Sequence, residues 1–294
     1  MIKKVVVLLF LTVATNLFGF ETRNVSVPAS PTGYSAGNSP VFFIDDVTFL
    51  GAEQKALVQF YFQMNYSELY FVRDGEQFRA AYDLEIWVYD EMGKMSDNQI
   101  YRDIFRVPTY EETQTANIAR ISRYSISLEP GDYWILALIT DRETGRQSQI
   151  TQAFTARNFQ KTGLTVSDMY LSQTVLPAQA GQPFVTEQWY IEPNLANAFT
   201  RDNPNFYIYL EMYNLPALQE KPARFFTDLI FYNNAGTEIA RFPRQVFAEG
   251  TTVGAMMKFS SRWFSPGDYT LTVQVRDPDS GNTVETTKSF RIVY

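Results

Sequence analysis

Histidine and cysteine are both absent from the 294-residue chain. Without histidine there is no imidazole to activate a serine, and without cysteine there is no thiolate nucleophile and no Cys/His zinc site. No lysine has a serine three residues before it, which removes the serine–lysine arrangement as well. No Gly-x-Gly occurs and no P-loop is present, so neither a dinucleotide fingerprint nor a nucleotide cradle can be drawn. Disulfides are excluded, and stability must come from burial alone. Basic residues are also few, 25 Lys and Arg against 32 Asp and Glu, for a net charge of −7. An acidic chain is repelled by phosphate backbones and anionic surfaces, so nucleic acid is not an expected partner.

Long apolar runs are missing too. Residues 5–17 form the longest, behind the basic start Met1-Ile-Lys-Lys. That is short of the roughly 20 residues of a membrane span and reads as a secretory signal peptide, 1–19. Removing Lys3 and Lys4 with it leaves 23 basic and 32 acidic residues, a charge of −9. The expected product is exported, periplasmic or extracellular, with no integral membrane segment in the mature chain. Residues 24–40 hold three Pro, two Gly and four Ser, so 20–40 is expected to be a flexible leader.

What the chain does have is a repeat. Pro-Gly-Asp-Tyr stands at 130–133 and again at 266–269, 136 residues on. Each copy is followed by Asp eight residues after its Tyr (Asp141, Asp277) and Gly twelve after it (Gly145, Gly281). A duplicated turn–strand–turn plan means two copies of one β unit. Period-2 alternation supports strands: Val58, Phe60, Phe62, Met64 and Tyr66 share one face, as do Phe206, Ile208, Leu210 and Met212. Ile44-Asp-Asp-Val-Thr-Phe and Val166-Ser-Asp-Met-Tyr-Leu read as the two opening strands. The fold expected is all-β, two tandem immunoglobulin-like antiparallel β-sandwich domains, 41–158 and 164–294. Tyr133 and Tyr269 stand where a tyrosine corner would bond back to the backbone, a structural role for the repeat. Each unit is of a size that can fold alone.

Phe42-Phe-Ile-Asp-Asp, Val58-Gln-Phe-Tyr-Phe-Gln-Met, Gly131-Asp-Tyr and Asp141-Arg-Glu-Thr-Gly resemble the amino-terminal region of bacterial GWxTD-domain proteins. The resemblance covers about residues 40–160 and implies an exported β-sandwich protein without assigned activity. The Gly-Trp-x-Thr-Asp motif itself is absent: none of Trp87, Trp134, Trp189 or Trp263 follows a glycine. No functional residue is carried over from it.

Candidate sites come from parity. If Tyr133 points inward, so do Ile135, Ala137 and Ile139, and Trp134, Leu136 and Leu138 point out. On the neighbouring strand Tyr82, Leu84, Ile86 and Val88 are the inner set, which leaves Trp87 and Tyr89 on the same outer face. The matching strand of the second unit presents Thr270, Thr272, Gln274 and Arg276, as a solvated strand would. An apolar outer face is covered either within the molecule, by residues 109–119 or the other unit, or by a partner. Tyr207, Tyr209 and Tyr213 form a second outward row beside Glu211, ordinary as single residues on a strand. Asp277 and Asp279 put two carboxylates on one turn, a weak calcium pattern without a helix–loop–helix frame; turns of this kind use Asp and Gly for backbone reasons. No metal or cofactor is expected. The leading functional reading is a non-enzymatic binding or scaffolding protein of the cell envelope, engaging an envelope protein or polysaccharide through Trp87, Tyr89, Trp134, Leu136 and Leu138. The alternatives are a carbohydrate-binding module using the same aromatics and a carboxylate-pair glycoside hydrolase.

Overall fold

A computed structural model describes residues 19–24, 33–34, 40–116, 118–160, 163–179, 185–186, 189–215, 223–248 and 250–293. Residues 1–18, which hold most of the expected signal peptide, lie outside the described residues. The chain is all-β. The first unit runs through β1 (Gly19–Asn24), β2 (Gly33–Tyr34), β3 (Phe42–Leu50), β4 (Ala56–Asn65), β5 (Val72–Asp74), β6 (Gln77–Asp90), β7 (Met95–Val107), β8 (Ile118–Leu128), β9 (Gly131–Asp141) and β10 (Gln147–Ala156). One sheet has the order β1-β8-β4-β3-β2; the other is β10-β9-β6, with β5 and β7 also paired to β6. Within the segment expected as a flexible leader, β1 pairs with β8 and β2 with β3, both antiparallel. Backbone pairing at an open sheet edge needs no apolar side chains, so composition gave no sign of it.

The second unit contains β11 (Thr165–Val166), β12 (Tyr170–Ser172), β13 (Val175–Pro177), β14 (Val185–Thr186), β15 (Trp189–Ile191), β16 (Ala198–Thr200), β17 (Asn205–Tyr213), β18 (Ala223–Asn233), β19 (Glu238–Ala248), β20 (Thr252–Ser260), β21 (Gly267–Arg276) and β22 (Thr283–Val293). Its facing sheets are β11, β12 and β20 arranged on β17, and β16-β22-β21-β18-β19. Strands β13, β15 and β14 form a separate small sheet. Among the described residues, no helix is long and apolar enough to cross a membrane.

Each sandwich closes on its own core. Val58, Phe60, Phe62 and Met64 of β4 pack with Leu84, Ile86, Ile135 and Ala137 of the facing sheet. Phe206, Ile208, Leu210 and Met212 of β17 pack with Leu229, Phe231, Leu271 and Val273. A buried Phe or Leu side chain stabilises by roughly 2 kcal/mol relative to exposure, so these alternating sets dominate folding. The repeated corners fix how the chain crosses between sheets. The Tyr133 hydroxyl donates to the Glu129 carbonyl at 3.1 Å, and that of Tyr269 to the Ser265 carbonyl at 2.8 Å. The rings lie against Phe154 and Phe290, partly stacked.

The repeated Asp closes the hairpin that follows. Asp141 accepts from the Glu143 and Thr144 amides at 2.9 and 3.0 Å, and Asp277 from the Asp279 amide at 2.9 Å and the Ser280 hydroxyl at 2.6 Å. Gly145 and Gly281 then sit at φ +71° and +73°, the left-handed region that favours glycine. Asp277 is thus engaged by its own turn. Burial opposes its charge, but those bonds outweigh it and hold the carboxyl below its ordinary range. Among the described residues no group of three or more potential metal ligands comes together.

The two units meet over a broad interface that the alternation pattern did not reveal. Phe43, Val47, Phe49, Tyr61 and Ile121, on the outer face of the β3–β4–β8 sheet, pack on Tyr170, Tyr190, Ile191, Leu195 and Tyr209. Strand β4 is therefore buried on both faces, and its polar row, Tyr61, Gln63 and Asn65, is enclosed. The tyrosine row of β17 belongs here too: Tyr209 and Tyr213 are buried and donate to Glu211 at 2.8 and 2.6 Å. Gly254 leaves room for this; a Cβ there would lie 2.8 Å from the Tyr209 hydroxyl. Tyr213 reaches into the first core, where the Leu50 amide donates to its hydroxyl at 3.1 Å.

Candidate functional site

The five residues singled out from parity lie together. Strands β6 and β9 are adjacent and antiparallel, with Trp87 opposite Leu136 and Tyr89 opposite Trp134. Ile135, Ala137 and Ile139 are buried, while Trp87, Tyr89, Trp134, Leu136 and Leu138 are half-buried on the outer face. Tyr89 and Trp134 stack on one another, with centroids 4.2 Å apart and planes 14° from parallel. On the other flank, β7 adds exposed Ile100 and Met95 opposite Glu85 and Tyr89, and exposed Ile104 opposite Ala81. Its rim carries both signs: Asp83 lies 3.6 Å from Arg102 and 3.8 Å from Arg142. The second unit packs against the opposite sheet. Of residues 109–116, Tyr110–Thr113 form a short helix whose Tyr110 ring meets Phe78, a residue packed on the first core, at 5.8 Å. The second unit's corresponding strand differs: Thr272 bonds Thr287 at 2.9 Å across the sheet, and Arg276 is exposed beside the Phe226 ring.

A second constellation, which sequence reading missed, is a charged cluster between the units. Lys288 reaches Asp45 at 2.9–3.0 Å, with both side chains mostly buried. Asp168 accepts from the Thr48 amide at 2.8 Å, returns its own amide to the Thr48 carbonyl at 2.9 Å, and pairs with Arg157. Burial raises the Asp46 carboxyl to about 7; Asp45 and Asp168 push the same way, while Lys288 and a hydrogen bond from Gln152 oppose it. Burial pulls Lys288 down, but Asp45 outweighs it and its pKa is raised. No local motif announces this cluster, because its members lie up to 243 residues apart.

A shifted carboxyl beside other carboxylates is the kind of grouping acid–base chemistry uses. Here, however, the cavity between Asp45, Tyr61, Tyr170, Asn197 and Lys288 holds about 10 Å³. That is the space of a single water and not of a sugar ring. The cluster joins the two units.

No family model matches the chain, and no curated protein does. Among solved structures, β-glucuronidase from Parabacteroides merdae aligns at 8% identity over 80% of this chain and 28% of its own, with a TM-score of 0.26. A putative β-galactosidase from Bacteroides fragilis aligns at 11% over 94% and 40%, with a TM-score of 0.24. Dimeric latent PorU from Porphyromonas gingivalis aligns at 12% over 85% and 20%, with a TM-score of 0.28. The chain spans less than half the length of each, and at these scores the likeness carries no argument about activity.

Proposed function

We propose that this is an exported cell-envelope protein that catalyses no reaction and works by binding a partner protein through the outer face of β6 and β9. The observation that carries this reading is the stacked Tyr89–Trp134 pair, flanked by Trp87, Leu136 and Leu138 on the sheet opposite the one that packs on the second unit. Aromatic residues at the centre and a rim of mixed charge, here Asp83, Arg102 and Arg142, are the composition of protein interfaces. Stacking on a sugar asks for a ring face lying open, and Tyr89 and Trp134 each spend one face on the other. That favours a protein over a polysaccharide at this site. The absence of His and Cys and the lack of room beside the Asp46 cluster support a non-catalytic role. The signal-like start at 1–19 supports export.

The test is affinity capture from the native envelope with the wild-type protein and with Trp87→Ser/Trp134→Ser. The double variant should melt within about 4 °C of wild type, the shift of roughly 1 kcal/mol in a protein of this size, and lose the captured partner. Equal capture by both proteins ends the proposal. Unfolding of the double variant would place the tryptophans in the core.

A further inference from the structure

The far end of the second unit carries a concavity that the binding face does not use. Asn233 at the end of β18, Ile239 and Phe242 of β19, Trp263 and Ser265 before the corner, and Tyr269 of β21 enclose an open pocket of about 520 Å³. Trp263 is 62% exposed, the second highest among the large apolar side chains exposed in the described residues. Its indole lies 5.9 Å from the Phe242 ring, 29° from parallel, and edge-on to Phe259. This offset leaves much of the ring uncovered. Asn233 uses its Oδ1 to accept the Ala235 and Thr237 amides, at 3.0 Å each, which turns the side chain into a fixed mount for its Nδ2 donors. The Tyr269 hydroxyl, already donating to Ser265, still offers lone pairs.

Two features define what fits. First, no lining residue among the described residues is charged, although the chain carries 57 formal charges (25 + 32). An ionised ligand would enter without a counter-charge, so the site selects a neutral one. Second, donors and acceptors stand beside exposed aromatic carbon, so the ligand should present C–H faces and hydroxyls together. The same corner of the first unit shows that the fold asks for neither feature. Asp90 stands opposite Tyr133 there, as Asn233 stands opposite Tyr269, and Glu129 replaces Ser265 and pairs with Lys55 at 3.2 Å. The position before its corner is exposed Ser127 instead of Trp263.

We infer that this pocket is a binding site for a neutral saccharide, with one ring stacked on Trp263 against Phe242 and its hydroxyls meeting Asn233, Ser265 and Tyr269. A volume of 520 Å³ lies within the range of small-ligand sites and accommodates one or two sugar rings. The site is independent of the Trp87 face.

The experiment is a titration of the full mature protein with cellohexaose and maltohexaose, extended to an array of neutral glycans, with oligogalacturonate as the anionic comparison. At least one neutral glycan should bind. Trp263→Ala should weaken that binding at least tenfold with an unchanged melting midpoint, since the ring is exposed. Asn233→Asp, which adds a charge in nearly the same shape, should weaken it as well. Trp87→Ser/Trp134→Ser should bind as wild type does. The inference is overturned if no neutral glycan on the array binds, if Trp263→Ala binds as well as wild type, or if oligogalacturonate binds better than every neutral glycan.

Discussion

The first unit has two outer sheet faces, both carrying large apolar and aromatic residues, with opposite fates. The β3–β4–β8 face, with Phe43, Val47, Phe49, Tyr61 and Ile121, is buried beneath the second unit. The β6–β9 face, with Trp87, Tyr89, Trp134, Leu136 and Leu138, is only half-buried. The covered face carries an ion-pair cluster at its edge, Lys288 with Asp45 and Arg157 with Asp168. The other is rimmed by exposed side chains such as Arg102. Apolar outer faces on a sandwich therefore do not mean one thing. One has become part of the fold, and the other keeps its large residues half-exposed.

Substitutions on the covered face should have the largest effects. Phe49→Ser with Tyr61→Ser should lower stability by about 5 kcal/mol, because each removes a large side chain from a packed site. Urea denaturation reads the loss, and small-angle scattering reads any parting of the units. A loss no larger than that of Trp87→Ser/Trp134→Ser would erase the distinction between the faces. Cutting the chain should be worse than the sequence led one to expect: the isolated first unit, 40–160, would expose this face to water and should self-associate, visible by sedimentation.

Next is Lys288→Ala, which strands Asp45 in a mostly buried site and should cost about 3 kcal/mol. Adding Asp45→Asn should restore much of it. If the double variant is no more stable than the single one, the pair is not what joins the units.

The cluster should also make stability depend on pH. Asp46 titrates near 7 in the folded protein and near 3.8 when unfolded, so between those values the folded state binds the extra proton. Its contribution is fully present below about pH 4 and is lost as pH rises through about 7. Burial is incomplete, so the change should be on the order of 2 kcal/mol. Asp46→Asn should flatten that part of the profile, measured by urea midpoints from pH 4 to 8. An unchanged slope would show that Asp46 does not titrate there.

The smallest effects separate the two corners. Tyr133→Phe and Tyr269→Phe should each cost about 1 kcal/mol, the net value of one hydrogen bond. Unchanged midpoints would mean that the bonds to Glu129 and Ser265 contribute nothing.

Strand periodicity made the inward residues readable because a strand's side chains alternate regardless of what surrounds it. Val58, Phe60 and Phe62, or Phe206, Ile208 and Leu210, were legible for that reason, and so was the adjacency of Trp87, Tyr89, Trp134 and Leu136. Alternation gives parity but says nothing about what lies beyond the outer face. Tyr209 and Tyr213 looked like ordinary surface tyrosines and are buried against the first unit. Gln63 and Asn65, on the face of β4 opposite Phe62 and Met64, are enclosed, a fate open to polar side chains that find partners. Trp263 stood next to the repeated turn without a periodic pattern to mark it, and its pocket is assembled from four separate stretches of chain.

By itself, then, the sequence determined the strand class, the duplicated corner, the inner faces and the chemistries that missing histidine and cysteine exclude, because each depends on residue type or local spacing. Only the tertiary structure decided which apolar face the second unit covers, that Asp45 meets Lys288 across 243 residues, and which aromatic groups share a pocket. Those outcomes depend on how two finished sandwiches dock, and docking is set by the shape and charge of whole surfaces, which no local stretch of sequence contains.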